Sequence, residues 1–256
     1  MPRLPRRLQH EEEATLVEHL GELRTRIYIS LAALIAGFSV AYAFHSHLIK
    51  WLEDALPPDR RHLITFGVAE PFMTSMWVSI YAGFLLALPI ILWQVWSFLA
   101  PAFAENMQRS LAALVAFATL LAGAGVAFAY FVVLPAAVHF LTNYDDDLFN
   151  IQIRAKDYLS FSTMVLLAVA IVFEVPVFVL ALVRIGVVTS AKLRRTWRIG
   201  VVVMAAVAVA LPGVDPVTTT IEMIPLITLY LGSVLLSGFF ERRWHPTRHG
   251  LLAEEL

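Results

Sequence analysis

The sequence predicts an all-α integral membrane protein with six transmembrane helices and both termini in the cytoplasm. Three observations predict it. Of the 256 residues, 59% are hydrophobic and only 15% are charged, whereas a soluble domain carries about 25% charged residues. Six apolar runs approach or exceed the length of helix, about 20 residues, that crosses a hydrocarbon core. Fourteen of the nineteen Lys and Arg lie in segments on the N-terminal side of those runs, and an excess of this kind marks the cytoplasmic side.

The chain opens on a charged segment, residues 1–26, with five acids and five arginines. No cleavable leader is visible, so the first span is expected to be an uncleaved anchor. Leu16, Leu20, Leu23 and Ile27 recur at spacings of four, three and four, which is one face of a helix. His19, Glu22 and Arg26 share another face, and Arg24 points elsewhere. Two readings stay open here. Glu22 and Arg26 can be an i,i+4 pair on a helix lying at the bilayer surface, worth tenths of a kcal/mol. Alternatively, Glu22 offers its carboxylate to an incoming guanidinium, which can grip it bidentately.

The six runs are 27–44, 72–96, 110–134, 158–183, 199–211 and 219–239. Thirteen residues in the fifth reach only about 20 Å at ~1.5 Å per residue. The sixth loses its first turn to Glu222, so both are expected to be short. Either Trp197 and Arg198 snorkel to complete the fifth span, or the bilayer thins around it. The far-side loop 45–71 contains an amphipathic stretch, 48–56, and then a turn at Pro57-Pro58-Asp59. Asp145-Asp146-Asp147 reads as a solvated tip in the loop 135–157. The organisation is one membrane domain, 27–239, flanked by the segment 1–26 and a cytoplasmic tail, 240–256.

Polar groups inside these runs need explaining. Glu174 lies within the fourth run two residues before Pro176, which can kink the helix. An acid at that depth marks a functional surface, or is a protonated group bonded to a neighbouring helix. Pro89 and Pro225 are further prolines inside runs, so several helices are expected to bend. Asp215 sits in the tight turn Leu211-Pro212-Gly213-Val214-Asp215-Pro216, either as the N-cap of the sixth helix or as part of a partner site. Glu222 near the start of that helix suits its dipole. Gly123, Gly125 and Ala129 suggest close helix packing. Tyr130 and the cluster Trp93, Trp96 and Phe98 fall near span ends, where aromatic belts are common.

Several function classes are excluded. A net charge of −1 gives no clustered basic charge for nucleic acid. The absence of cysteine removes disulfides and thiolate chemistry. His45-Ser46-His47 lacks a nearby acid to complete a metal site. No phosphate-cradling glycine loop, HExxH helix or GxSxG elbow occurs. Neither an enzyme nor a bound cofactor is expected.

Several segments in order resemble one family, the TatC subunit of the twin-arginine protein translocase. They begin with His-Leu-x-Glu-Leu-Arg-x-Arg at 19–26 and Glu70-Pro71-Phe72. Pro89 follows, with Gln94-Val95-Trp96-Ser97-Phe98-Leu99-Ala100-Pro101, and then Phe128-Ala129-Tyr130-Phe131-Val132-Val133-Leu134-Pro135. Tyr158-Leu159-Ser160-Phe161, Phe173-Glu174-Val175-Pro176, Pro212-Gly213-Val214-Asp215-Pro216 and Ile224-Pro225 close the pattern.

The resemblance implies a receptor in a bacterial-type inner membrane for folded proteins carrying Arg-Arg signal peptides, driven by the proton-motive force. It implies a concave, cup-like bundle whose short fifth and sixth spans contact single-span partner subunits of the TatA/TatB type, within a complex in which the chain is also expected to self-associate. The family's signal-binding acid carries over onto Glu22, beside Arg24. A second acid of the first cytoplasmic loop falls on Met107, followed by Gln108 in place of Arg, and Glu105 is the substitute. Glu174 is implied to face the cup interior, with Pro71, Phe98 and Tyr130 as further intramembrane residues of the matched motifs. Asp215, Thr219 and Glu222 are the implied partner contacts. Thr219 stands where the family often has Gln, Leu211 where it has Thr, and Leu231 where it has an acid, so the chain reads as a divergent member. The alternatives are a paralogue that has lost receptor function and a proton-coupled small-solute transporter or channel using Glu174. Transporters of that kind usually show repeated halves and broken helices, which are not evident in the sequence.

Overall fold

A computed structural model of the chain describes residues 16–99, 108–145, 148, 151–213 and 215–244. Glu105 and Met107 lie outside the described residues, as do Asp146 and Asp147 of the acidic tip. The fold is helical because a backbone in hydrocarbon must satisfy its own N–H and C=O groups. Among the described residues, five helical stretches are long and apolar enough to cross a membrane, Leu20–Ala43, Glu70–Phe98, Ala112–Asn143, Ala155–Arg184 and Pro216–Phe239, and Trp197–Ala210 is a shorter apolar helix.

Helix α1 (Leu16–Ala43) packs along α3 (Glu70–Leu99), and between them α2 (His45–Glu53) lies on the far side of the bundle. α2 is the amphipathic stretch expected at 48–56, and a single 3₁₀ turn, Pro58–Arg60, follows at the predicted proline pair. α4 (Gln108–Phe128) returns to the far side, passes through a π-helical turn (Ala129–Val133) and continues as α5 (Leu134–Asn143). The third span is therefore nine residues longer than the expected end at Leu134. A proline clashes with the carbonyl four residues back, and the wider turn, in which the Leu134 N–H reaches the Ala129 carbonyl, carries the helix past Pro135.

The fourth span is broken. α6 (Ala155–Val172) stops at Phe173–Glu174 and α7 (Val175–Arg184) restarts with Pro176 in its first turn, where a missing N–H costs nothing. The break appears at the kink expected from Pro176. At its other end α7 stops in a Schellman motif: Gly186 takes φ 80°, and the N–H groups of Gly186 and Val187 donate to Val183 and Leu182. α8 (Ser190–Arg195) and α9 (Trp197–Ala210) follow, and α10 (Pro216–Trp244) packs against α7, α8 and α9. α9 has 14 residues, about 21 Å at ~1.5 Å per residue, and is short as expected. The sixth helix is longer than expected. It has 29 residues, because Pro216 sits at its first position and Asp215 caps it, adding the turn that Glu222 was thought to remove. Prolines 89 and 225 lie inside helices that run on without interruption.

Three apolar clusters form the core. The first joins α2 to α3, α6 and the π turn; the second joins α3, α4 and α7; the third joins the end of α6 to α9 and α10. Trp96 belongs to the second and is fully buried against Phe178, and Tyr130 belongs to the first. Neither forms part of a lipid-facing belt, whereas Trp93 is exposed. Of the small residues in the third span, Gly125 does let helices touch, since a Cβ there would lie 2.9 Å from Ala170 Cα, while Gly123 has open space around it.

α1 depends on one close crossing. A Cβ on Gly83 would lie 2.6 Å from the backbone N and Cα of Phe38, and a Cβ on Gly37 would run into the Gly83 carbonyl. Small residues at such a crossing let dispersion contacts form where lipid offers no hydrophobic drive. Gly83→Ala is expected to lower stability by about 1–3 kcal/mol, read as a fall in the melting temperature of the detergent-solubilised protein. An unchanged melting temperature would show that the two backbones do not meet there.

Candidate functional site

At the near side of the bundle, where α1 begins and α3 ends, charge and apolar surface meet. Arg26 donates from both Nε, at 3.1 Å, and Nη2 to Oε1 of Glu22, one turn earlier. The same Nη2 donates to the Ser97 carbonyl at 3.2 Å, and Nη1 approaches Gln94 Oε1 at 3.5 Å. One guanidinium therefore ties α1 to the last turns of α3. The Glu22 side chain is 39% exposed against 20% for Arg26. Glu22 Oε2 accepts no hydrogen bond among the described residues, so half of the carboxylate is left open to a further donor.

Beside this pair runs a groove of roughly 370 Å³ lined by Leu23, Ile27, Leu31, Leu34, Val95 and Phe98, with Arg26 and Gln94 at one end. Arg24 takes no part in it. Its guanidinium lies over the ring of Tyr28, 5.4 Å from the centroid, and its Nε donates to the tyrosine hydroxyl.

Glu174 occupies the break between α6 and α7, at the N-terminal end of α7. Its side chain is 2% exposed, and neither carboxylate oxygen has a hydrogen-bond partner among the described residues. Of the two readings open for Glu174, the bond to a neighbouring helix is not seen among the described residues. The neighbouring Val172 and Val175 pack into the cluster that α10 shares, which encloses the acid within the chain rather than on an open surface.

At the far end of α10 the predicted cap is present: Asp215 Oδ1 accepts the Thr218 N–H at 2.7 Å. Asp215, Thr218 and Glu222 then follow at spacings of three and four along one buried face. Asp215 Oδ2, Thr218 Oγ1 and both Glu222 oxygens are unpartnered among the described residues. Thr219 is only half-buried, and its hydroxyl is used internally on the Asp215 carbonyl at 2.9 Å.

The far side also holds a strong ion pair that the sequence did not single out. Arg154 grips Glu70 bidentately, at 2.7 and 3.0 Å, and the Phe66 and Gly67 N–H groups donate to the same carboxylate at 3.1 and 3.2 Å. Its hydrogen bonds to Glu70 push the Arg154 guanidinium above its ordinary pKa, so the cation persists at any working pH. A parallel bridge between Ile64 and Arg154 joins the same two segments through the backbone. Pro71 follows Glu70 in the first turn of α3. Tyr130 donates to the Trp51 carbonyl at 2.8 Å and stacks on the Trp51 ring at 4.0 Å, while Tyr158 donates to the Leu52 carbonyl at 2.6 Å. Together these contacts hold α2 as a cap on the bundle.

The profile of the family described as Sec-independent protein translocase protein (TatC) matches residues 18–225. The chain belongs to the TatC family. It is 34% identical to the Sec-independent protein translocase protein TatC of Campylobacter jejuni over 85% of this chain and 91% of that protein. It is 32% identical to the protein of the same name from Carboxydothermus hydrogenoformans, over 90% of this chain and 96% of that one. Among solved structures, a twin-arginine translocase receptor, TatC, crystallised in DDM, superposes with a TM-score of 0.77 at 31% identity, covering 86% of this chain and 99% of that chain.

Against the family expectations, Phe98 lines the near-side groove and Glu22 lies beside it through Arg26, Pro71 and Tyr130 come to the far-side cap, and Asp215 and Glu222 to one face of α10. Glu174 stands apart from all three. Gln94, Thr218 and the Glu70–Arg154 pair were missed by sequence reasoning. The polar Gln94 inside an apolar run was the signal for the first. Thr218 had none, since it is one of three consecutive threonines and only the cap geometry selects it.

Two outcomes are expected. Glu222→Met removes two buried, unpartnered oxygens and should stabilise the isolated chain by about 1–3 kcal/mol; a fall in melting temperature would mean that the carboxyl is bonded in solution. Arg154→Ala should lower the melting temperature more than Arg154→Lys, because a buried carboxylate without its cation is costly. Equal effects would reduce the pair to a surface contact.

Proposed function

We propose that the chain is the receptor and core subunit of a twin-arginine translocase in a bacterial-type inner membrane, with both termini cytoplasmic. The observation that carries this is the family match along nearly the whole chain, combined with a half-open carboxylate at the mouth of an apolar groove. A signal peptide offers paired guanidiniums followed by an apolar stretch, and the near-side site has the complementary chemistry for both.

In this reading Glu22 accepts one incoming guanidinium through its open Oε2 and exchanges its internal bond to Arg26 for a second. The incoming pair is charge-assisted like the one it replaces, so the exchange costs little and the bond to Oε2 is the net gain. Glu105 assists from the loop that carries Met107 in place of the usual acid. Arg24, held over the Tyr28 ring, flanks the bound signal peptide beside Glu22 and keeps α1 oriented. The groove with Phe98 takes up the apolar part of the signal.

Glu174 and the residues of the far-side cap, Pro71 and Tyr130, act later, when the signal moves across. Single-span subunits of the TatA/TatB type dock on α10 near Asp215, Thr219 and Glu222: half-buried Thr219 is reached directly, and the orphaned oxygens of Asp215 and Glu222 lie behind it, to be uncovered when the partner docks. The complex contains more than one copy of this chain. Energy comes from the proton-motive force, with neither nucleotide nor cofactor, and no catalytic residue is assigned.

The test is site-specific cross-linking to an Arg-Arg signal peptide in membranes. Glu22→Ala is expected to lower the yield about tenfold, the size of one lost charged hydrogen bond, and Glu22→Arg to abolish it. Unchanged cross-linking in both variants would remove Glu22 from the site. In the same membranes Glu222→Ala should weaken co-purification of a single-span subunit while leaving signal cross-linking intact. Loss of both would point to misfolding instead.

A further inference from the structure

We infer that the corner between α8 and α9 is a binding site for anionic phospholipid headgroups. The corner places Lys192, Arg194, Arg195 and Arg198 within seven residues, all four exposed. None of them forms an ion pair among the described residues. From residue 175 to residue 214 the sequence contains no acid at all. Among the described residues, α10 brings Glu241 to this corner; it is buried and accepts the Ser190 N–H at 2.8 Å, so it caps α8 and forms no ion pair with the four cations.

The corner is built, not frayed. Thr189 and Glu241 satisfy the first N–H groups of α8, and Leu193 packs into the cluster shared by α9 and α10. Arg194 lies against α10 at Gly238, where an added Cβ would strike its guanidinium. The apolar side of α8 is thus held inward and its basic side is presented outward.

What faces that basic side follows from the next helix. Trp197 is exposed, with the Arg198 guanidinium 5.7 Å from its ring, and Ile199, Val202, Val203 and Val209 of α9 are exposed behind it. In the isolated chain, an exposed apolar face of a membrane helix is covered by acyl chains. The four cations sit one turn beyond that face, at the level where such a lipid carries its phosphate. Indole rings favour the same interfacial level. Because α9 is short, these cations lie among headgroups and not out in bulk water. Clustered cations at this position attract negatively charged headgroups over zwitterionic ones. The inference does not rest on the translocase reading.

The test uses the purified full chain in mixed phosphatidylglycerol and phosphatidylcholine, with retained lipid counted by native mass spectrometry. The wild type is expected to retain phosphatidylglycerol about tenfold over phosphatidylcholine. Arg194→Gln, Arg195→Gln and Arg198→Gln together should bring the ratio to within about twofold of unity. Lys50→Gln with Lys156→Gln, exposed cations on the far side, should leave it unchanged. If the triple variant does not fold, Arg195→Gln against Arg195→Lys gives the same reading, since only the first should lower the ratio. No preference in the wild type, or a preference that survives the triple variant, would overturn the site. The latter result is also the one expected if the cations serve an acidic polypeptide.

Discussion

A carboxylate taken out of water must find a cation, a donor or a proton, and the acids of this chain are sorted by how they meet that demand. Glu70 is gripped by Arg154 and two backbone N–H groups, and the far-side cap is assembled around it. Glu22 is bonded to Arg26, which in turn holds α1 to the end of α3. Glu241 is spent on the first turn of α8. Glu174 and Glu222 are the exceptions, buried and without partners among the described residues. The paired acids therefore build the scaffold, and the unpaired ones lie where the proposed translocation and docking steps need polar groups.

The scaffold also explains why charge can be sparse. α1 packs along α3, approaching closest at Gly37 and Gly83 and tied again by Arg26, with most of its apolar side chains turned outward, so it forms an edge of the bundle. The groove between α1 and α3 results from that edge placement, and Arg26 closes one end of it. A tighter packing of α1 would bury the groove, and a looser one would lose the hydrogen bond from Arg26 to the Ser97 carbonyl.

Much of the fold could be read from the sequence because hydrocarbon imposes length and polarity on each helix. All six spans are found, along with the short fifth and the break near Pro176. The errors have local causes. The third apolar run reads as ending at Leu134, but a π turn absorbs Pro135 and the helix continues to Asn143. Glu222 looked like a truncation of the sixth helix, but burial under the Asp215 cap lets the helix start at Pro216. Of the candidate site, the Glu22–Arg26 pair was legible because the i,i+4 spacing places both on one helix face. The contribution of Gln94 and Ser97 was not, since it depends on where the end of α3 meets α1. Thr218 and Arg154 act through contacts distant in sequence or through cap geometry, which periodicity does not carry.

The central claim, that this chain reads paired arginines and passes folded proteins across a membrane, is tested most directly by complementation. The chain would be expressed in cells lacking their own receptor subunit, and export of a folded twin-arginine client measured. The account predicts that the wild-type chain restores export and that Glu22→Ala does not, with both proteins present at equal levels in the membrane. Export restored equally by both would contradict the role of Glu22, and a wild-type chain that restores none, while stably assembled with single-span subunits, would contradict the receptor reading itself.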